Sequence, residues 1–234
     1  PLMQVKNLSK LGKVYTSLAN YPQAIEYYNQ ALKITETQKV LTLKTTVLRE
    51  RGNVYQIQGK YQEAIPNYLQ ALALDEADKN SLGIADNKIN LANIYLALGD
   101  ISKATQYYKE ASEFKYNETL PGLGDVEFFQ GNIKKAIDFY NKSLAYAQQQ
   151  ENKSDEINAL NKLGLAYSQL ASFAIAEKYL RDSIKVGEEL RIKLDDINKI
   201  SIFEQQAHAY VLLQKVLITQ NKIQEALEIA ERGR

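Results

Sequence analysis

A five-residue phrase returns at a fixed offset along this chain. Leu11-Gly12-Lys13-Val14-Tyr15, Arg51-Gly52-Asn53-Val54-Tyr55 and Leu91-Ala92-Asn93-Ile94-Tyr95 stand 40 residues apart. Twelve residues after the Gly or Ala of each comes an alanine: Ala24, Ala64 and Ala104. Two further copies follow, Leu123-Gly124 with Ala136 and Leu163-Gly164 with Ala176. A weaker sixth has Gln214 in the Gly place and Ala226 in the Ala place. Each copy must be the same supersecondary unit, and it buries its apolar face against its neighbours.

The residue types say which unit. Two antiparallel helices approach closely only where small residues leave room. The Gly column on a first helix and the Ala column on a second are therefore the expected touching points, with Tyr and Leu filling the space around them. The second helix carries an aromatic four residues after the Ala (Tyr28, Tyr68, Tyr108, Tyr140) and a small residue three later (Ala31, Ala71, Ala111, Ser143). Spacings of three and four keep these positions on one helix face. Turn residues separate the helices: Asn20, Gly59-Lys60, Gly99-Asp100, Gly131-Asn132, Ala171-Ser172 and Asn221. A Gly or Asn just past a helix end takes the left-handed cap conformation. Pro22 suits the first turn of the helix that follows.

The frame is broken twice. Only 32 residues separate Ala104 from Ala136, so one helix there must be short, and Pro121-Gly122 is expected to set its boundary. Fifty residues separate Ala176 from Ala226, which implies a long fifth second helix, a long sixth first helix, or both. In that stretch Asp195-Asp196 is expected to cap a helix rather than to bind a metal. Pro66 falls inside a second helix and should remove a backbone hydrogen bond and bend it.

The columns Leu-Gly, then Tyr, then Ala-x₃-Tyr-x₂-Ala resemble the tetratricopeptide repeat (TPR) family over almost the whole chain. The usual family period is shorter, and the extra length is similar to the long-helix variety found in kinesin light chains and many bacterial signalling proteins. The resemblance implies an all-α, right-handed α-solenoid of about six helix-turn-helix repeats, near 5–38, 45–78, 85–118, 119–150, 157–192 and 197–234, forming one superhelical domain. It implies a non-catalytic module that binds a protein or peptide segment in a concave groove lined by the first helices. The groove positions would be those three before, one after and four after the Gly, with a further column six before it.

Those columns give the candidate binding residues Lys13, Arg49, Asn53, Gln56, Asp86, Asn93 and Asp125. Asn53 and Asn93 occupy one column in adjacent repeats, and an amide side chain can pair with the backbone of any extended peptide. Lys6, Lys13 and Arg49 precede Asp86, Glu118 and Asp125, so a partner with an acidic part facing the first repeats and a basic part facing the middle would fit. Phe128-Phe129 is either an exposed anchor in the groove or a core replacement for the Tyr missing at Glu127, and the core reading is preferred. The pairs Tyr27-Tyr28, Tyr107-Tyr108 and Phe139-Tyr140 are read as core rather than as stacking platforms for bases.

Composition removes other classes. Cysteine is absent and His208 is the single histidine, so thiol chemistry is excluded and a triad or imidazole metal site would rest on that one residue. His208 is read as an ordinary helix residue. Neither a cofactor nor a metal is expected, and no enzyme. The net charge of +1 lacks the basic excess of a nucleic-acid binder. No apolar run is long enough to span a membrane, no membrane partner is expected, and the expected location is cytoplasmic. The segment Glu225-Ala226-Leu227-Glu228-Ile229-Ala230-Glu231-Arg232-Gly233-Arg234 resembles the junction at which TPR arrays of cyanobacteria and other bacteria run into a caspase-like CHAT domain. That resemblance implies a fragment of a longer signalling protein, whose recognition arm binds another protein or its own downstream domain. A sensor of a short peptide that changes superhelix shape is the alternative.

Overall fold

The computed structural model describes residues 2–37, 41–192 and 196–233, and leaves the side chains of 41–42 and 196–205 undescribed. Every element among the described residues is a helix: α1 (Leu2–Ser17), α2 (Tyr21–Thr37), α3 (Leu41–Ile57), α4 (Tyr61–Ala77), α5 (Ser81–Ala97), α6 (Ile101–Phe129), α7 (Ile133–Gln149), α8 (Lys153–Gln169), α9 (Phe173–Ile192), α10 (Asp196–Thr219) and α11 (Ile223–Arg232). Pairs of 17-residue helices with three-residue connections account for the 40-residue period. We call the two helices of each repeat A and B.

Element α6 contains both helix B of repeat three and helix A of repeat four. Lys115, at φ −133° and ψ 57°, breaks it into 101–114 and 116–129. The short interval therefore comes from two shortened helices joined through one residue. The expected boundary at Pro121-Gly122 is incorrect: Pro121 lies inside the second half. The long interval is shared, with 20 residues in α9 and 24 in α10. Helix α4 runs unbroken through Pro66. Asp195 and the side chain of Asp196 lie outside the described residues.

The turn inside each repeat is one motif used six times. The backbone N–H of Asn20, Lys60, Asp100, Asn132, Ser172 and Lys222 donates to the carbonyl of Tyr15, Tyr55, Tyr95, Glu127, Tyr167 and Leu217, five residues back. This is the long hydrogen bond of a Schellman cap, and it needs a left-handed residue just before the donor. That residue is Ala19, Gly59, Gly99, Gly131, Ala171 or Asn221, with φ between 54° and 81°. In repeat one the position belongs to Ala19 rather than to the expected Asn20. The Asn20 side chain instead accepts from the Gln23 N–H at 3.4 Å, at the start of α2.

The chain packs as two compact units, Pro1–Thr119 and Leu120–Arg234. In the first, Val5, Tyr28, Ala31, Val47, Leu48 and Val54 form one core cluster and Tyr68, Leu72, Leu91 and Ile94 another. In the second, Ala136, Tyr140, Leu163 and Ala166 form one cluster and Leu180, Ala209, Leu213, Leu217 and Ile229 another. Each cluster draws on more than one repeat, as a stacked repeat requires. The Ala column is buried throughout. The Gly column does not face it: a Cβ on Gly12 or Gly164 would lie 2.6 Å from Tyr28 or Leu180, and one on Gly124 would strike the Tyr140 ring. Glycine is there to admit the large side chain four residues beyond the Ala. Where repeat six has Gln214 in the Gly column, the aromatic column has shrunk to Ala230.

Both members of the doubled aromatics are packed. Tyr28 and Tyr108 are core, while Tyr27 and Tyr107 stack on Tyr15 and Tyr95 with centroids 5.3 and 5.7 Å apart.

Candidate functional site

The candidate residues on the A helices are held by the repeat itself. In repeats two, three and four the residue after the Gly or Ala receives a hydrogen bond from the tyrosine hydroxyl packed there. Tyr68 Oη donates to Asn53 Oδ1 at 2.6 Å, Tyr108 Oη to Asn93 Oδ1, and Tyr140 Oη to Asp125 Oδ1 at 2.8 Å. Tyr68 Oη also lies 2.8 Å from Gln56 Oε1. In repeat five both ends are apolar, Leu165 and Leu180. Burial pushes the Tyr28 hydroxyl up to about 12 and the Tyr68 hydroxyl higher, so both stay protonated donors.

A second set of contacts joins adjacent A helices. Lys13 Nζ is 2.9 Å from Glu50, Arg49 Nη1 is 3.2 Å from Asp86, and Lys162 Nζ is 2.6 Å from Asp125. In each pair the residues are 37 apart, one repeat less one helical turn. Lys115, at the break in α6, donates to Asp86 at 2.8 Å and Glu118 at 2.9 Å. Its burial alone would pull the ammonium pKa down, but those hydrogen bonds outweigh it and leave it raised. The charges on this surface thus pair first with one another. Arg49 and Asp86 are direct partners, so the change of sign expected along several repeats occurs within one contact.

Two cavities open on the A-helix surface, one in each unit. The cavity of the first unit, about 330 Å³, brings together Arg49, Asn53 and Asp86 of the candidate set with four residues outside it, Glu50, Ile89, Asn90 and Glu118. Lys13 reaches it through Glu50. Gln56 and Asn93 are not in its lining. The cavity of the second unit, about 460 Å³, is lined by Asp125, Phe128, Phe129, Tyr140, Asn158, Asn161, Lys162, Leu165 and His208. The Phe128-Phe129 pair divides: Phe128 packs on the core beside Tyr140, whereas Phe129 is 65% exposed. His208 is an exposed helix residue, and it borders this cavity.

Glu50, Asn90 and Lys162 share the column two before the Gly, which the sequence reading passed over. The signal was present as opposite charges 37 residues apart. Among the described residues no cluster of three or more His, Cys, Asp or Glu is arranged to hold a metal, and no helix is long and apolar enough to cross a membrane.

Comparison with known proteins agrees with this geometry. Tetratricopeptide repeat family models match residues 5–38, 43–117 and 115–189. Human tetratricopeptide repeat protein 7B is 25% identical over 101 residues, 42% of this chain; the matched stretch spans only 11% of that protein. The apo form of RapI superposes with a TM-score of 0.74 at 18% identity, covering 99% of this chain and 82% of RapI. A signal-transduction ATPase with a tetratricopeptide repeat sensor from Pyrococcus horikoshii superposes at 0.73 and 16% identity, covering 99% of this chain and 36% of that one. BtubC from P. vanneervenii superposes at 0.68 and 16% identity, covering 93% and 88%. At these identities the structural likeness is one of fold. With its helix pairs, its repeated caps and the matched models, the chain belongs to the tetratricopeptide repeat family, an all-helical α-solenoid fold commonly used as a protein–protein interaction module.

Proposed function

We propose that this chain is a non-catalytic recognition module that holds an extended segment of a partner protein against its A helices. The observation carrying this reading is the cavity of the first unit, where Arg49, Asn53 and Asp86 converge with Glu50 and Asn90. Asn53 is fixed by its Oδ1, which leaves the Nδ2 donor for a partner carbonyl. Asn90 supplies a second amide, and a side-chain amide serves any extended backbone. The three carboxylates of the cavity are already paired with Lys13, Arg49 and Lys115, so the two amides carry the recognition. Asn93 occupies the same column within the first unit.

Panning a random peptide library against the whole chain tests this. Enriched peptides should bind at least tenfold more weakly to Asn53→Ala and Asn90→Ala, while the melting temperature changes little, because Tyr68 keeps Gln56 as acceptor. Undiminished binding to both variants would refute the cavity's role. The likeness of residues 225–234 to a TPR–CHAT junction supports a role as the regulatory arm of a signalling protein, and the coding sequence downstream tests that role.

A further inference from the structure

We propose that the cavity of the second unit is an anchor site for one bulky, uncharged side chain, aromatic or branched aliphatic, of a partner protein. This deepens the reading of the A-helix surface as a binding face and rests on it. The argument starts from the repeat columns. Four residues after the Gly or Ala the repeats carry Thr16, Gln56, Leu96, Phe128 and Ser168, so repeat four alone places an aromatic there among the first five. One residue after the Gly, the polar run Lys13, Asn53, Asn93, Asp125 ends at Leu165. In the second unit these two columns thus carry apolar Phe128 and Leu165 beside polar Asp125 and Ser168.

The structure gathers these replacements around one space of about 460 Å³. That falls within the range of ligand-binding cavities, roughly 300–1,000 Å³. Phe129 meets Phe128 edge-on with centroids 6.1 Å apart and remains 65% exposed. An exposed aromatic beside a cavity is the arrangement found where a few buried anchors carry most of the binding energy.

The charges at the site say what the occupant is. Lys162 Nζ contacts both oxygens of Asp125, at 2.6 and 2.7 Å, and Tyr140 Oη donates to the same carboxylate. Lys162 also stands 5.7 Å from the centroid of the Tyr140 ring. This pair is internally compensated. An incoming ammonium or carboxylate would lose water without gaining a counter-charge, which is costly in a partly enclosed site. An apolar side chain loses only unfavourable hydration and meets Phe129 and Leu165.

His208 makes the test direct, because it borders the cavity and is the chain's single histidine, so its imidazole protons report from this place alone. The N-acetyl methylamides of phenylalanine, leucine, lysine and glutamate are titrated into the full chain while the imidazole resonances are followed by proton NMR. The phenylalanine and leucine probes are expected to shift them saturably, at least tenfold more strongly than the charged probes, and Phe129→Ser to abolish the response. Phe129 is largely exposed, so its replacement leaves the core intact. Equal shifts from the charged probes, or a response unchanged in Phe129→Ser, would overturn the proposal. Library peptides sensitive to Asn90→Ala but not to Phe129→Ser would overturn the anchor and leave the recognition role standing. Saturable binding of apolar probes with no enriched peptide would keep the anchor and remove the recognition role.

Discussion

At the scale of single residues, one missing Cβ sets the distance between the helices of a repeat. A methyl on Gly124 would enter the Tyr140 ring, whereas one on Gly52 would lie 3.0 Å from Tyr68, and repeat three already tolerates Ala92 opposite Tyr108. Gly124→Ala should therefore lower stability by about 1–3 kcal/mol through overpacking. Gly52→Ala should be close to neutral, since Ala gains about 1 kcal/mol in helix propensity. Thermal denaturation of the two variants measures the difference. Ala171 holds a left-handed φ of 54° where Gly59, Gly99 and Gly131 stand in other repeats with open space around them. Ala171→Gly should stabilise the turn by about 1 kcal/mol. The left-handed residue of repeat one was misread because Asn favours that conformation in general, while here the Schellman hydrogen bond selects the position before it. The buried tyrosines predict an alkaline limit. Unfolded tyrosines titrate near pH 10, but native Tyr28 titrates at about 12 and Tyr68 above that. Above pH 10 the unfolded state releases protons the native state retains, so the contribution of these tyrosines to stability is constant below pH 10 and is lost as pH rises from 10 toward 12. Urea midpoints across that range, followed by circular dichroism, check it.

Between elements, neighbouring repeats are joined by side chains 37 residues apart. Lys13–Glu50 is partly exposed, and such pairs contribute at most about 1 kcal/mol. Glu50→Lys should lower the melting temperature, and the swap Lys13→Glu with Glu50→Lys should recover most of the loss. Failure to recover would show that the pair is not a unit. The existence of the helices, their pairing and six turns were legible from the columns, because size and turn chemistry repeat in phase. The break in α6 was not. It falls at Lys115, whose side chain reaches Asp86 on another helix, a long-range contact, whereas local sequence pointed to Pro121. The binding columns were legible only in part. Arg49, Asn53 and Asp86 came from family positions, whereas Glu50, Asn90 and Lys162 follow from how adjacent A helices are offset.

For the molecule as a whole, the repeats supply one scaffold and the variation between them supplies chemistry. Each unit carries a cavity on its A helices, lined by amides and paired charges in the first, and by Phe128, Phe129 and Leu165 among polar residues in the second. With a net charge of +1, the chain has no strong general attraction for either sign, so the selectivity of such a surface lies in these local arrangements. Site-specific photocrosslinking decides whether the A-helix surface is the recognition face. A benzoylphenylalanine is placed at Asn90, in the first unit's cavity, or at Gln70, exposed on α4, and each chain is irradiated with library-selected peptide. The account predicts crosslinks from position 90 and none from position 70; crosslinks confined to position 70 would contradict it.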